Sequence, residues 1–172
     1  MRFIFIIFLT IFKFEIAAAN VNIAFIDLNF IMNNSLAGTS IKTYLNDLSK
    51  EKNKDFEVIE SEIKEDENEL ISKKNIIEEN IYNQKVNEIR IRINDYKLER
   101  QNFNKNLNEK KIKYNNLLLE KLNPIISNYV EQNSINVVLP KKMIIIGKRD
   151  LDITRQILEM LDKSIKKINF NE

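Results

Sequence analysis

From residue 39 to residue 123 the chain has neither glycine nor proline, 85 consecutive positions without a strong helix breaker. Gly38, Pro124, Pro140 and Gly147, the only such residues in the chain, all lie outside that run. Half of the protein is therefore free to continue as helix, and a helix that long cannot fold into a compact ball by itself. The remainder is small. Small bodies bury too little apolar surface to be comfortably stable alone, and oligomerisation is the usual remedy.

The second half of the run carries the clearer periodicity. Positions 86, 89, 93, 96, 100, 103, 107, 110, 114 and 117 alternate steps of three and four, and eight of the ten are apolar or aromatic. The exceptions are Arg100 and Lys110. This is the pattern of a coiled-coil seam. The first half is looser, with Ile41, Leu45 and Leu48, then a one-residue slip to Phe56, Ile59, Ile63, Leu70 and Ile77.

Charge predicts how the halves are arranged. Residues 47–69 hold ten acids against four lysines, a net −6, whereas residues 85–121 hold ten bases against five acids, a net +5. Reversal near Glu78-Glu79-Asn80 lays the acidic arm along the basic one as an antiparallel helical hairpin. Two helices of roughly 40 residues would make it about 60 Å long at 1.5 Å per residue. A continuous helix in a parallel dimer would stack like charge on like charge, which such seams disfavour. An antiparallel dimer of rods matches the charges equally well and stays open.

Val21 to Asp27 reads as a short, largely buried strand, followed by a connecting piece to Ser40 with a helical turn around Leu28, Ile31 and Met32. Beyond the arms, Pro124 lies in helical surroundings and is expected to kink the chain. Ile135 to Leu139 and Met143 to Gly147, on either side of Pro140-Lys141-Lys142, read as a β-hairpin. Asp152 or Thr154 can cap a final amphipathic helix with Ile153, Ile157, Leu158, Leu161 and Ile165 on one face. Strands from opposite ends of the chain, Ile23 to Ile26 and Val137 to Ile146, must then meet at the base of the arms.

Residues 1–19 have the form of a secretory signal peptide: Arg2, an apolar run from Phe3 to Phe12, and Ala17-Ala18-Ala19 as the cleavage site. The run is too short to span a bilayer as a helix. Cleavage after Ala19 removes Arg2, Lys13 and Glu15 and lowers the net charge from +2 to +1. The expected organisation is signal peptide 1–19, a small α/β body and oligomerisation region from 20–38 and 124–172, and a helical tentacle over 39–123. The mature chain is expected to be exported to the periplasm, with no stable membrane insertion.

The composition gives little support to an enzyme. Histidine and cysteine are absent, which removes the commonest general base, the thiol nucleophile and nearly all zinc chemistry. Two glycines cannot build a phosphate-cradling loop. Glu65-Asp66-Glu67-Glu69 lacks the glycine and spacing of a calcium loop and reads as a solvated helix face. A net charge of +2 gives no general field for nucleic acid. No catalytic, metal or cofactor site is expected.

The strand Ile23-Ala24-Phe25-Ile26-Asp27 and the long helical run are followed in order by three further segments. These are Leu122-Asn123-Pro124-Ile125-Ile126, Ile135-Asn136-Val137-Val138-Leu139 and Leu151-Asp152-Ile153-Thr154. Over essentially the whole mature chain this set resembles the Skp (OmpH-like) periplasmic chaperones. The resemblance implies a mainly α protein with a small β body: a jellyfish-like homotrimer on a β-barrel-like base, with three hairpin tentacles around a cavity. It implies an ATP-independent holdase that keeps unfolded outer-membrane proteins from aggregating. The best-known members are markedly basic, whereas this chain is near neutral.

Client contact is expected from the apolar residues near the tip, Ile76, Ile77, Ile81 and Tyr82, for which ordinary tip packing is the alternative. Oligomerisation is expected through Ile23, Phe25, Val137, Leu139, Ile144 and Ile146, with a sheet core inside one subunit as the alternative. Two other functions fit a long helical pair: a structural coiled-coil spacer or adaptor of the cell envelope, and a periplasmic subunit of a transport assembly.

Overall fold

The computed structural model describes residues 21–170, so the signal-like segment lies outside the described residues. Strand β1 (Ile23–Ile26) leads directly into helix α1 (Leu28–Asn34). Asp27 makes the junction: its Oδ1 accepts the Phe30 N–H at 2.9 Å, satisfying one of the donors that a helix start leaves without a partner. Ser35 then ends α1 and starts helix α2 (Leu36–Lys73). Its N–H donates to the Ile31 carbonyl at 2.9 Å, and its Oγ accepts the Gly38 N–H at 3.0 Å. The Leu36 N–H donates to Asp162 Oδ1 at 2.7 Å, placing a carboxylate at the positive end of the α2 dipole.

Gly38 is not the break that the sequence reading made it. It lies buried in the first turn of α2, a helix that starts three residues before the expected run. A Cβ built there would stand 1.8 Å from the Met32 carbonyl oxygen. Glycine allows α1 and α2 to approach that closely; it does not terminate a helix.

Helix α3 (Glu79–Gln132) follows a short break at residues 74–78, next to the predicted reversal. Rising positions in α2 meet falling positions in α3. Lys52 Nζ lies 2.6 Å from Glu99 Oε1, Arg100 Nη1 lies 2.7 Å from Glu60 Oε1, and Arg92 bridges Glu62 and Asp66. These pairs are solvent-exposed, so they set partner and direction more than stability. The apolar seam lies beneath them. Phe56, Ile63 and Leu70 are buried at seven-residue intervals in α2. Phe56 meets Tyr96 and Phe103 edge-on, with ring centroids 5.7 and 5.9 Å apart. In α3 the eight apolar or aromatic seam members are buried or half-buried, and Arg100 and Lys110 are exposed.

Helix α3 continues through Pro124 to Gln132, so the proline does not end it. Ser134, with φ 50°, reverses the chain in the left-handed region, and the Ile135 N–H closes back on the Val130 carbonyl at 3.0 Å. Strand β2 (Val137–Pro140) then runs parallel to β1, with Ile23 opposite Val137 and Ile26 opposite Pro140. Asn22 and Asn136 secure this register: the Asn22 N–H donates to Asn136 Oδ1 at 2.8 Å, and the Asn136 N–H donates to the Asn22 carbonyl at 2.8 Å.

The meeting of the two chain ends is as expected, but the predicted β-hairpin does not form. Pro140 belongs to β2, Lys141–Met143 make one 3-10 turn, and Ile144–Gly147 form no strand. The proline expected in a turn is the last residue of the strand, and the β-branched run after it has no strand partner among the described residues. A second 3-10 turn, Arg149–Leu151, returns the chain to β1, where the Ile153 N–H donates to the Phe25 carbonyl at 3.0 Å.

Helix α4 (Thr154–Ser164) buries Ile157 and Leu161 just after the buried Ile153, with Leu158 and Ile165 half-buried. Asp152 Oδ1 accepts the Thr154 N–H at 3.0 Å, while Thr154 Oγ1 accepts the Asp27 N–H at 2.9 Å, tying α4 to the end of β1. The core joins both chain ends to the proximal parts of α2 and α3. Ile31, Leu118, Leu122, Ile157 and Leu161 are fully shielded within it. Where the arms leave the body, Phe170 stacks on Tyr44 at 4.1 Å, and the Tyr114 hydroxyl donates to the Phe170 carbonyl at 2.9 Å. Burial pushes the Tyr114 phenol above its ordinary pKa. Among the described residues no helix is long and apolar enough to cross a membrane.

Candidate functional site

Besides single exposed apolar residues along the long helices, such side chains gather in two regions, one at each end of the helices. At the distal end, α2 finishes at Lys73 and the break turns the chain into α3. Ile71, Ile76 and Ile81 stand out here, Ile76 at 80% exposure. Ile77 behaves differently. It is half-buried in the cleft between the helices, beside Leu70 and Ile89. Tyr82 is also half-buried. Of the four expected contact residues, then, Ile76 and Ile81 present open apolar surface, whereas Ile77 helps to close the seam. Ile71 escaped the sequence reading because it falls off the apolar period, and only the course of the chain reveals it as exposed.

The acidic cluster beside the tip is occupied by internal pairing, Asp66 with Arg92 and Glu69 with Lys73. The hydrogen bond from Lys73 holds the Glu69 carboxyl below its ordinary pKa.

At the proximal end, the segment after β2 borders an open cleft of ≈ 970 Å³, with Phe25, Phe30, Ile144 and Ile145 among its lining residues. Lys141 Nζ and Asp152 Oδ2 form an ion pair of 2.7 Å beside it. Burial pushes the Asp152 carboxyl up, but the hydrogen bonds from Lys141 and Thr154 outweigh it and hold the group below the ordinary aspartate value. The same hydrogen bond raises the Lys141 pKa.

The six residues expected at an oligomer contact divide by burial. Phe25 is buried and packs against Gly147, where an added Cβ would lie 2.8 Å from the ring. Leu139 and Ile144 are half-buried, while Ile23 and Val137, opposite one another in the sheet, are exposed. Ile146 is 91% exposed, and its neighbour Ile145 is 97% exposed. Adjacent isoleucines so fully in solvent have no packing partner among the described residues, and contiguous exposed apolar surface of this kind marks interaction sites.

Neither region assembles a nucleophile, a general base and an orienting group. Among the described residues, no group of three acidic side chains could hold a metal ion.

Comparison with known proteins gives a consistent result. Residues 22–161 match the family described as outer membrane protein (OmpH-like). The fold is similar to the crystal structure of a protein described as an OmpH-like outer membrane chaperone, from Caulobacter crescentus CB15. The TM-score is 0.80 at 18% identity, covering 86% of this chain and 88% of that one. No curated protein matches the sequence.

Proposed function

Because the chain belongs to the outer membrane protein (OmpH-like) family, we propose that it is an ATP-independent holdase of the periplasm. It keeps unfolded outer-membrane proteins from aggregating on their way to the outer membrane. In this reading residues 1–19 direct export and are removed. Residues 39–123 form a helical hairpin tentacle, and the flanking segments 20–38 and 124–172 form the body. Three copies join through that body in a β-barrel-like base, and their arms enclose the client.

The observation that carries the reading is the position of unpartnered apolar surface. It lies at Ile76 and Ile81, at the distal end of two long charged helices, and at Ile145 and Ile146, at the opposite end. The proximal patch suits contact between subunits, and the distal patch suits contact with clients. An unfolded barrel protein exposes apolar strand residues that would otherwise pair with other chains. Weak contacts from several arms supply avidity without slowing release.

Dilution of a barrel protein from urea into buffer tests the activity. The mature chain is expected to suppress light scattering at about one oligomer per client, the stoichiometry of a cage whose contacts act together. An envelope spacer would leave the scattering unchanged. Sedimentation equilibrium is expected to give three chains per particle, and a monomer would end the cage reading.

Replacing Ile76 and Ile81 together by serine should weaken protection roughly threefold or more while the oligomer persists, since about 1 kcal/mol of lost contact is a factor of five. Undiminished protection would remove the tip from the client surface. Ile77→Ser, by contrast, should lower the melting temperature of the arms, because Ile77 closes the seam.

A further inference from the structure

Opposite charges on the two arms are only partly used within one chain. Glu60, Glu62 and Asp66 of α2 are paired with α3, but Glu57 and Glu65 have no ion pair among the described residues. Arg90 and Lys97 on α3 likewise have none among the described residues. Each arm therefore keeps unspent charge of its own sign.

An apolar stripe runs beside that charge. Ile91, Leu98 and Ile112 are each about half exposed, and their spacing is a multiple of seven. They occupy the heptad position opposite the seam defined by Val86, Ile89, Ile93 and Tyr96, so the stripe faces away from α2. On α2, Val58 is 58% exposed between Glu57 and Ile59.

We propose that the outer face of α3 docks against the outer face of α2 in a second copy of this chain pointing the same way. Neighbouring arms of the oligomer then close side by side. The inference rests on the oligomer of the proposed function and adds a contact between its arms.

Three observations select this occupant. The first is level. Contacts between the helices place Lys52 beside Glu99, Phe56 beside Tyr96 and Phe103, and Glu62 and Asp66 beside Arg92. Residues near 58 therefore stand level with residues near 97, and those near 65 with those near 90. A copy alongside, in the same direction, brings Val58 to Leu98, Glu57 to Lys97 and Glu65 to Arg90. The second is sign, since both charged pairs in that arrangement are attractive. The third is spacing. Seven helical residues repeat at about 10.5 Å, the repeat of another heptad helix. The apolar side chains on one face of an extended client strand repeat at about 6.8 Å instead.

Such a contact is small and exposed, so salt should loosen it. Closed arms would cover the stripes of an empty oligomer and part when a client enters between them.

The chain has no cysteine, which makes cross-linking selective. Val58→Cys and Leu98→Cys variants are refolded together, and the mixture is oxidised. At about 20 mM salt a covalent dimer containing one chain of each variant should form at least threefold faster than a dimer of either variant alone. At about 0.5 M salt, where the screening length falls below about 5 Å, that rate should drop roughly threefold. Replacing Glu57 and Glu65 by lysine should abolish the excess, and adding Lys97→Glu and Arg90→Glu should restore it.

Sedimentation of the same samples separates the two possible failures. An oligomer with no excess of mixed dimer, with a salt-independent rate, or with Leu98→Cys linked only to an added unfolded barrel protein overturns arm docking alone. A monomer overturns the oligomer, and the docking with it.

Discussion

Gly38→Ala is expected to cost the body about 3 kcal/mol or more, an overpacking at the upper end of the usual range. The added methyl would meet the Met32 carbonyl oxygen at 1.8 Å, and the obstacle is backbone in a buried turn, which no rotamer change can move. The cost cannot be confined to one helix. Shifting α2 outward would pull Gly38 from the Ser35 hydroxyl and Leu36 from Asp162, which together satisfy the first turn of the helix. Thermal unfolding followed by circular dichroism should show the midpoint falling by about 6–12 °C, at roughly 2–4 °C per kcal/mol for a chain of this size. A shift below about 2 °C would mean that α1 and α2 do not approach as described. The same substitution at an exposed mid-helix glycine would be stabilising, so the sign alone distinguishes close approach from helix propensity.

Leu118→Ala should destabilise the protein by about 3 kcal/mol, within the range for leucines whose removal leaves a core cavity. Leu118 is fully shielded on α3, where Tyr114, Leu118 and Leu122 turn the same face inward at intervals of four. The contrast lies on the same helix. Leu98 is 56% exposed, and at about 0.5 M salt, where the proposed contact between arms is loosened, Leu98→Ala should change stability by no more than about 0.5 kcal/mol. Urea unfolding at one fixed protein concentration measures both, because in the proposed oligomer stability depends on concentration. Equal effects at the two leucines would contradict the division of α3 into a packed root and a solvated arm.

The arms were the most legible part of the sequence, because long-period patterns survive local ambiguity. The alternation from Val86 to Leu117 predicted which side chains of α3 turn inward, and the excess of acid over 47–69 predicted that α2 would face α3. The position of the reversal was legible to within a few residues, since both helices run out of seam there.

Punctuation was harder to read. Gly38 reads as a helix break because glycine usually is one, but its function is set by Met32, on another helix. Pro124 reads as a kink within helical surroundings, and α3 runs through it, apolar residues on either side holding the helix in the core. Met143–Ile146 looked like a strand because three β-branched residues in a row favour one, but propensity needs an edge to pair with. Phe170 gave no signal at all. It lies in the short tail after α4 and enters the aromatic cluster only because that tail returns to Tyr44 and Tyr114.

The site was legible in region more than in residue. Sequence reading placed open apolar surface at the distal turn and along the segments that meet at the base. It could not separate Ile76 from Ile77, because adjacent positions in a turn have no period to tell inward from outward. Their exposures differ only through the path the backbone takes after Lys73.

The pairing of Asn22 with Asn136 spans 114 residues of sequence. During synthesis the first strand therefore emerges long before the edge it needs, and ring closure over such a distance is slow and entropically costly. Helices whose contacts are local can zip up meanwhile, at about microsecond rates. Maturation should thus run from the limbs inward, the trunk staying unfinished until nearly the whole polypeptide has been made.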